Sequence, residues 1–408
     1  NKVEYQKDGK TFNGRKAKNY AMIFSGHSFG FQGEGLFKDE KANYSMNLSR
    51  LKWMFERLTL PQAELEKLAE LEQNWHEGDW DDDTIKERTT EIIGKPLTLL
   101  GFDSCVMSML EVGCQFKKVA ETMVASEGSI PNAGWSYAQI LLGKIANDKN
   151  ATAKEIAASF VENFVRQQNK YALADISVDM TAWDLKALGD LENSFANFTS
   201  KLLACFDDSE SVSYKQLKRV LIQTHWQCQT YMYQQNIDLG DFCQLLLKEF
   251  ESLKTELHPA TIQPILELEK LSQEVLDKIR ACVILSGFSG GKYQFSNGIS
   301  LFFPWSWSSY LVSRNSYEAL SFVKKNDAGK LWNQFLIKYL SVISLRQAKP
   351  LSSVNRDGTI VKNSDGSIVY RSYHYISETN GTIGSGIFGG TKIPEEGTEK
   401  IPEEGTEK

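Results

Sequence analysis

The sequence predicts an α/β protein built on a mainly parallel sheet, and three observations predict it. Continuous apolar runs stand at Tyr20 to Phe24, Leu97 to Phe102 and Met123 to Ser126. Each run is short, does not alternate with polar residues, and reads as a strand buried on both faces. Between the runs the apolar spacing switches to helical, and strand alternating with helix is the pattern of parallel α/β sheets.

The elements follow in order. Asp8-Gly9 lies between two short strand-like runs, Val3 to Lys7 and Lys10 to Asn13, and predicts a hairpin. The strand Tyr20 to Phe24 ends in Ser25-Gly26-His27, and its apolar character on both pleat faces places it inside the sheet. Residues 28–40, rich in Gly and Phe, predict a loop. Residues 48–72 predict helix, with Leu48, Leu51, Met54, Phe55 and Leu58 on one face. The strand Leu97 to Phe102 ends in Asp103-Ser104-Cys105, and apolar residues at 106, 109, 110, 112 and 116 predict a helix from Val106 to Ala120. A helix is also expected over Trp135 to Ile145.

Beyond residue 150 long helical patterns take over, among them Ala153 to Tyr171, Ala182 to Cys205, Tyr214 to Tyr233, Asp241 to Leu257 and Thr261 to Ala281. Short strands are expected at Val283 to Leu285 and Ile299 to Phe303. The expected domains are therefore 1–150, 151–345 and a polar tail, 346–408. The tail ends in a tandem octamer, Ile393 to Lys400 repeated at Ile401 to Lys408, with too little apolar content to fold alone.

Composition narrows the function. The chain is 41% hydrophobic and 24% charged with net charge −6 and no basic run, which removes the electrostatic footprint of a nucleic-acid binder. No apolar run approaches the roughly eighteen residues of a membrane helix. Six Cys in 408 residues are too sparse for a disulfide scaffold and read as thiols.

Two residues carry the chemistry. Cys105 and His27 each follow a buried strand, and parallel strands deliver their ends to one edge of a sheet, where open α/β sheets place their sites. A helix beginning at Cys105 would lower the thiol's pKa through its partial positive charge. Thiol and imidazole at one edge make the nucleophile–base pair of a cysteine hydrolase. The plain alternative is a buried thiol and a loop histidine.

The segment Gly101-Phe-Asp-Ser-Cys105-Val-Met-Ser-Met-Leu-Glu-Val resembles the nucleophile segment of the clostripain family of cysteine peptidases. Val124-Ala-Ser-Glu127, Pro131, Gly134-Trp135-x-Tyr137, Ser25-Gly-His27, Ile237-Asp-Leu-Gly-Asp-Phe242 and Ser296-Asn-Gly-Ile-Ser-Leu-Phe-Phe-Pro304 resemble further blocks of it, in order, over roughly residues 18–342. The resemblance implies a caspase-like three-layer α/β/α sandwich with a helix-rich C-terminal region. It implies a cysteine endopeptidase with a Cys105–His27 dyad and an oxyanion hole of backbone N–H groups from Cys105 and Ser28. Ser28 stands where the family usually has Gly, and this departure keeps alive a second reading, a catalytically silent scaffold.

The same resemblance makes Asp103 the receptor of a basic (Arg or Lys) P1 side chain, and a helix N-cap is the other role open to Asp103. Glu127, two residues past a strand core, is a second candidate substrate-binding acid, while Ala133 stands where the family often has a further acidic residue before Gly-Trp. Family members place further strands before the histidine strand, which implies an N-terminal fragment of the same precursor as partner. Processing is expected in the polar stretch from Gln73 to Arg88, with Lys86 and Arg88 as the basic candidates. No cofactor is expected; calcium at Glu77 to Asp83 is the one candidate the resemblance offers. His225-x-x-Cys228 has metal-ligand spacing but reads as a core His and Cys on a helix.

Overall fold

A run of apolar residues needs partners on both faces, and the central sheet supplies them. The computed structural model describes residues 4–7, 10–13, 17–32, 36–39, 41, 44–73, 81–167, 176–207, 211–259, 261–344, 372–375 and 386–389. The hairpin is present as β1 (Glu4–Lys7) paired antiparallel with β2 (Lys10–Asn13). The histidine strand is β3 (Ala21–Ser25). Residues 28–40 are not all loop, since β4 (Leu36–Asp39) pairs with β5 (Tyr44–Met46). The helix expected over 48–72 is two helices, α1 (Leu48–Thr59) and α2 (Gln62–Gln73). They are separated by Pro61, which disfavours helix at the residue before it. Then come α3 (Asp82–Thr89), β6 (Leu97–Asp103), α4 (Leu110–Phe116) and β7 (Ala120–Ala125). The helix expected over Trp135 to Ile145 is a π-helix over Gln139–Ile145.

The remaining elements are α5 (Ala153–Gln167), β8 (Val178–Asp184), α6 (Leu188–Asp207), α7 (Val212–Gln227), β9 (Asn236–Asp238) and α8 (Leu239–Glu256). They continue as α9 (Gln263–Cys282), β10 (Val283–Ser289), β11 (Ser300–Phe302), α10 (Trp307–Glu318), α11 (Ser321–Lys325) and α12 (Asp327–Ser344).

The main sheet has the order β10-β8-β7-β6-β3. β3 pairs parallel with β6, and β6 parallel with β7. β8 lies antiparallel between β7 and β10, so four of the five strands run one way. β8 contains the clearest difference from the sequence reading, in which Ala182 opens a helix. All seven of its residues are buried. Val178, Met180 and Ala182 face one layer, and Asp179, Thr181 and Trp183 face the other. β3 is the second difference. It was expected inside the sheet but is an end strand among the described residues, and its burial is only partial.

Helices cover both faces, giving the α/β/α sandwich. On one face Ala157, Phe160, Val161 and Phe164 of α5 pack with Leu99, Val124, Val178, Met180 and Ala182. On the other, Phe55 of α1 and Phe116 of α4 meet Phe24 and Phe102, with ring centroids 5.5 to 6.4 Å apart. Phe55, Phe102 and Phe116 are fully buried, contributing about 1.5–3 kcal/mol each.

The expected boundary at residue 150 is corrected by the sheet, which takes β8 and β10 from beyond it. Residues 1–340 cluster as one compact unit and 341–408 as a second. Within the second, β12 (Ser372–Tyr375) pairs antiparallel with β13 (Gly386–Gly389). The tandem octamer lies outside the described residues. Among the described residues no helix is long and apolar enough to cross a membrane.

Candidate active site

Cys105 follows β6 by two residues and His27 follows β3 by two. In the parallel pairing Ser25 lies opposite Asp103, so both chains leave the sheet at the same edge. The Gly26 amide donates to the Asp103 carbonyl at 3.2 Å, and the Ser28 hydroxyl donates to the carbonyl of Cys105. The two predicted catalytic loops are therefore bonded to each other on either side of the predicted pair. His27 is exposed and Cys105 half-buried. All six cysteines are free thiols.

The helix expected to begin at Cys105 begins five residues later, at Leu110. Cys105 sits instead in a turn followed by Val106 at φ 58°, the sole non-glycine residue at positive φ among those described. A β-branched residue there is strained. The turn is held by the segment after β7. Val106 N donates to the Gly128 carbonyl, and Met107 N and Ser108 N both donate to the Ser126 carbonyl, each at 2.9 Å. Burial raises the Cys105 thiol above its ordinary value. The Ile130 amide, donating to Sγ at 3.2 Å, and the Ser129 hydroxyl oppose that rise, and the Asp179 carboxylate adds to it. A helix terminus therefore does not acidify this thiol.

Ser28 is buried, and its φ is not positive. The Ser in a Gly position is thus accommodated without left-handed backbone strain. The flanking Gly26 (φ 149°) and Gly30 (φ 62°) take the unusual conformations instead.

Asp103 is not a helix N-cap, because α4 is capped by Met109 without a side-chain bond. Its buried carboxylate points at the Gly134-Trp135-x-Tyr137 segment. Oδ2 accepts from Trp135 N at 3.2 Å and from Tyr137 OH at 2.7 Å, while Oδ1 has no partner. Gly134 is required there: a Cβ on it would lie 2.9 Å from Oδ2, and its φ is 62°. Trp135 packs over Gly101, where a Cβ would strike the indole at 2.8 Å.

Glu127 does not join this pocket, which corrects its expected role as a substrate-binding acid. It is fully buried, accepting from Gly298 N at 3.0 Å, and its pKa is well above normal. Burial is the main cause, followed by the neighbouring Asp238 and Asp179 carboxylates.

Lys86 and Arg88, the candidate processing residues, lie in α3 and not in an open loop. Arg88 bonds Glu72 at 3.1 Å, and its carbonyl accepts from Arg57. Residues 74–80, most of the expected processing stretch and of the acidic segment proposed for calcium, lie outside the described residues. Asp81 caps α3 by accepting from Thr84 N at 2.7 Å. No group of three or more His, Cys, Asp or Glu suited to a metal occurs among the described residues. His225 is stacked between Phe303 and Trp305 at centroid distances of 4.0 and 3.6 Å, and burial lowers its pKa to about 3, as a core imidazole requires.

Sequence reasoning missed Asp179, because β8 was not read as a strand. The alternation Val178-Asp-Met-Thr-Ala-Trp-Asp184, rich in Val, Thr and Trp, is the signal that finds it.

The fold and the paired loops define a cysteine hydrolase on a mixed α/β sheet. The sequence model of the clostripain family (Peptidase C11) matches residues 83–387, and the chain belongs to that family, as a cysteine peptidase. The match begins past His27. An inactive zymogen C11 protease from Parabacteroides distasonis is similar in structure at 14% identity and TM-score 0.44, over 76% of this chain and 70% of that one. A secreted C11 cysteine protease from Bacteroides thetaiotaomicron, in complex with an irreversible peptide inhibitor, is 13% identical with TM-score 0.47, over 76% and 72%. A clostripain from the same organism, in complex with the peptide inhibitor BTN-VLTK-AOMK, is 14% identical with TM-score 0.42, over 72% and 98%. No curated protein matches.

Proposed function

We propose that the chain is an endopeptidase cutting after Arg or Lys through a Cys105–His27 dyad. The parallel pairing of β3 with β6, which aims both loops at one edge, is the observation that carries this reading. His27 takes the thiol proton, the thiolate attacks the scissile carbonyl, and imidazolium protonates the leaving amine. Water activated by the same imidazole then releases the acyl group. The amides of Cys105 and Ser28 are the proposed oxyanion donors. Asp103 supports the basic preference, since its buried Oδ1 has no partner and a guanidinium or ammonium would supply one.

The substrate partners are proteins or peptides with a basic P1 residue. The second proposed partner is an N-terminal fragment of the same precursor. The position of β3 supports it: the strand is apolar, only partly buried, and ends the sheet among the described residues. Processing between the catalytic residues would require α3 to unwind, and α3 buries none of its residues, so its opening costs little.

The test is a panel of fluorogenic peptides with Arg, Lys, Asp or Ala at P1, assayed with wild type and Cys105→Ala. Turnover confined to Arg and Lys substrates and abolished in Cys105→Ala is expected. Acidic or small apolar P1 preference would overturn the specificity, and an active Cys105→Ala would overturn the nucleophile. Intact-mass analysis of the purified protein under denaturing conditions should reveal a second polypeptide from the precursor.

A further inference from the structure

We propose that Asp179 is a positioning residue of the peptidase, its carboxylate bracing the segment 126–130 that sets the geometry and polarity around Sγ of Cys105. Asp179 is fully buried on β8, next to the end of β7. Its two oxygens take three bonds from one short stretch. Oδ1 accepts from the Ser126 hydroxyl at 2.9 Å and from Gly128 N at 2.8 Å, and Oδ2 accepts from Glu127 N at 2.7 Å.

That stretch does two things for the nucleophile. The carbonyls of Ser126 and Gly128 hold the amides of Val106, Met107 and Ser108, so they fix the strained turn that follows Cys105. The next two residues present donors to sulfur, the Ser129 hydroxyl and the Ile130 amide. With both oxygens of Asp179 committed, the turn and the donors are held by one anchor.

A second layer closes the network from behind. Glu127 accepts from Gly298 N at 3.0 Å, and the neighbouring Asn297 donates to Asp238 from its backbone N at 2.6 Å and from Nδ2 at 3.0 Å, with Tyr231 OH donating to Asp238 at 3.2 Å. The segment 126–130 is thus held from the sheet by Asp179 and from the opposite side by the Gly298 amide on Glu127.

The arrangement has an electrostatic cost that identifies its purpose. The charge of Asp179 raises the thiol's pKa, so on electrostatics alone its loss would make Cys105 more reactive. A positioning role predicts the opposite. In Asp179→Asn one oxygen becomes an NH2 donor facing the N–H or hydroxyl it used to accept from, and the segment is released on one side.

The proposal rests on Cys105 as the nucleophile, and the experiment separates the two. Wild type and Asp179→Asn are compared in three measurements. These are kcat and KM per active site titrated with an irreversible peptide inhibitor, the rate of Cys105 alkylation by iodoacetamide at neutral pH, and melting temperature. The expected result is a fall of roughly 100-fold in kcat per titrated site with KM little changed, the order of loss produced by a misplacement of about 1 Å. Alkylation should slow in parallel. A merely structural Asp179 would lower the melting temperature and the titratable fraction but leave kcat per site intact, and that outcome overturns the proposal. Alkylation that is unchanged or faster overturns it equally. If Asp179→Asn does not fold, Ser126→Ala, which removes one of the three bonds, decides. A smaller fall in kcat and alkylation supports the brace, and wild-type values refute it. An active Cys105→Ala would defeat the nucleophile assignment, while the alkylation measurement still reports on the brace.

Discussion

Ser25 and Asp103 face each other at the ends of two parallel strands, and the Tyr137 hydroxyl donates to Asp103 Oδ2 at 2.7 Å. Two residues further on, one chain reaches His27 and the other Cys105. The strand register therefore brings the proposed dyad to one edge, and each loop needs only a short path to it.

The first prediction concerns the thiol. Because burial raises the Cys105 pKa above its ordinary 9.0, the proposed dyad requires the imidazole to generate thiolate at neutral pH. In His27→Ala, iodoacetamide alkylation of Cys105 should be slow at pH 7 and keep rising beyond pH 9. Wild type should reach its plateau earlier. Superimposable pH profiles for the two proteins would remove His27 from the dyad.

The second concerns specificity. Asp103→Asn should reduce kcat/KM for Arg and Lys substrates by about 2–5 kcal/mol of transition-state binding, the cost of an unpaired buried charge. Tyr137→Phe removes one bond to Asp103 Oδ2 and leaves the charge in place, so its loss should be about 1 kcal/mol. Steady-state kinetics on matched Arg and Ala substrates checks both. Equal losses on the two substrates would show that Asp103 supports the fold and not the pocket.

Much of this was legible in the residues because it follows from local pattern. Continuous apolar runs gave β6 and β7, and the Cys and His at strand ends gave the edge. β8 was not legible in the same way. Its polar positions, Asp179 and Thr181, are buried, and Ser126, the amides of 127 and 128, and Ser286 provide their partners. A buried carboxylate satisfied by residues about 50 positions away makes the strand alternate instead of running continuously apolar, so a search for continuous apolar runs passes over it. Glu127 misled for a related reason, since an acid beside the nucleophile segment suggests a pocket until its burial is known. The delayed helix after Cys105 reflects the turn at Val106, where apolar spacing continued although the backbone did not.

The third prediction concerns stability. Glu111 is fully buried on α4, with Oε1 accepting from Phe302 N at 3.0 Å and Oε2 without a partner. Burial raises its pKa from 4.5 to about 7. A raised pKa means the folded state holds a proton that the unfolded chain releases. The contribution to stability is complete below pH 4.5 and is lost as pH climbs toward 7. The loss is on the order of 3 kcal/mol across that window. Glu111→Gln keeps the acceptor and cannot ionise. Its stability relative to wild type should therefore improve as pH rises from 4.5 to 7, by urea denaturation at each pH. Parallel curves for the two proteins would show that Glu111 ionises normally.

The last prediction joins the two loops through Gly30. Gly30 lies three residues past His27 with φ 62°, a conformation costing an L-residue roughly 1–2 kcal/mol. A Cβ there would stand 2.9 Å from the Val106 carbonyl oxygen and 2.8 Å from Met109 Sδ. The first contact is backbone and cannot rotate away, and Val106 is the strained residue directly after Cys105. Gly30→Ala should therefore do more than destabilise: it should push the nucleophile turn and lower kcat per titrated site, by up to about 100-fold for a shift near 1 Å. Gly189→Ala is the control. It lies in α6 with nothing within 4 Å of an added Cβ, and removing a helical glycine should stabilise by about 0.5–1 kcal/mol without touching kcat. Melting temperature and active-site-titrated kinetics on both variants give the comparison. A Gly30→Ala protein that loses stability but turns over like wild type would show that the histidine loop and the nucleophile turn move independently.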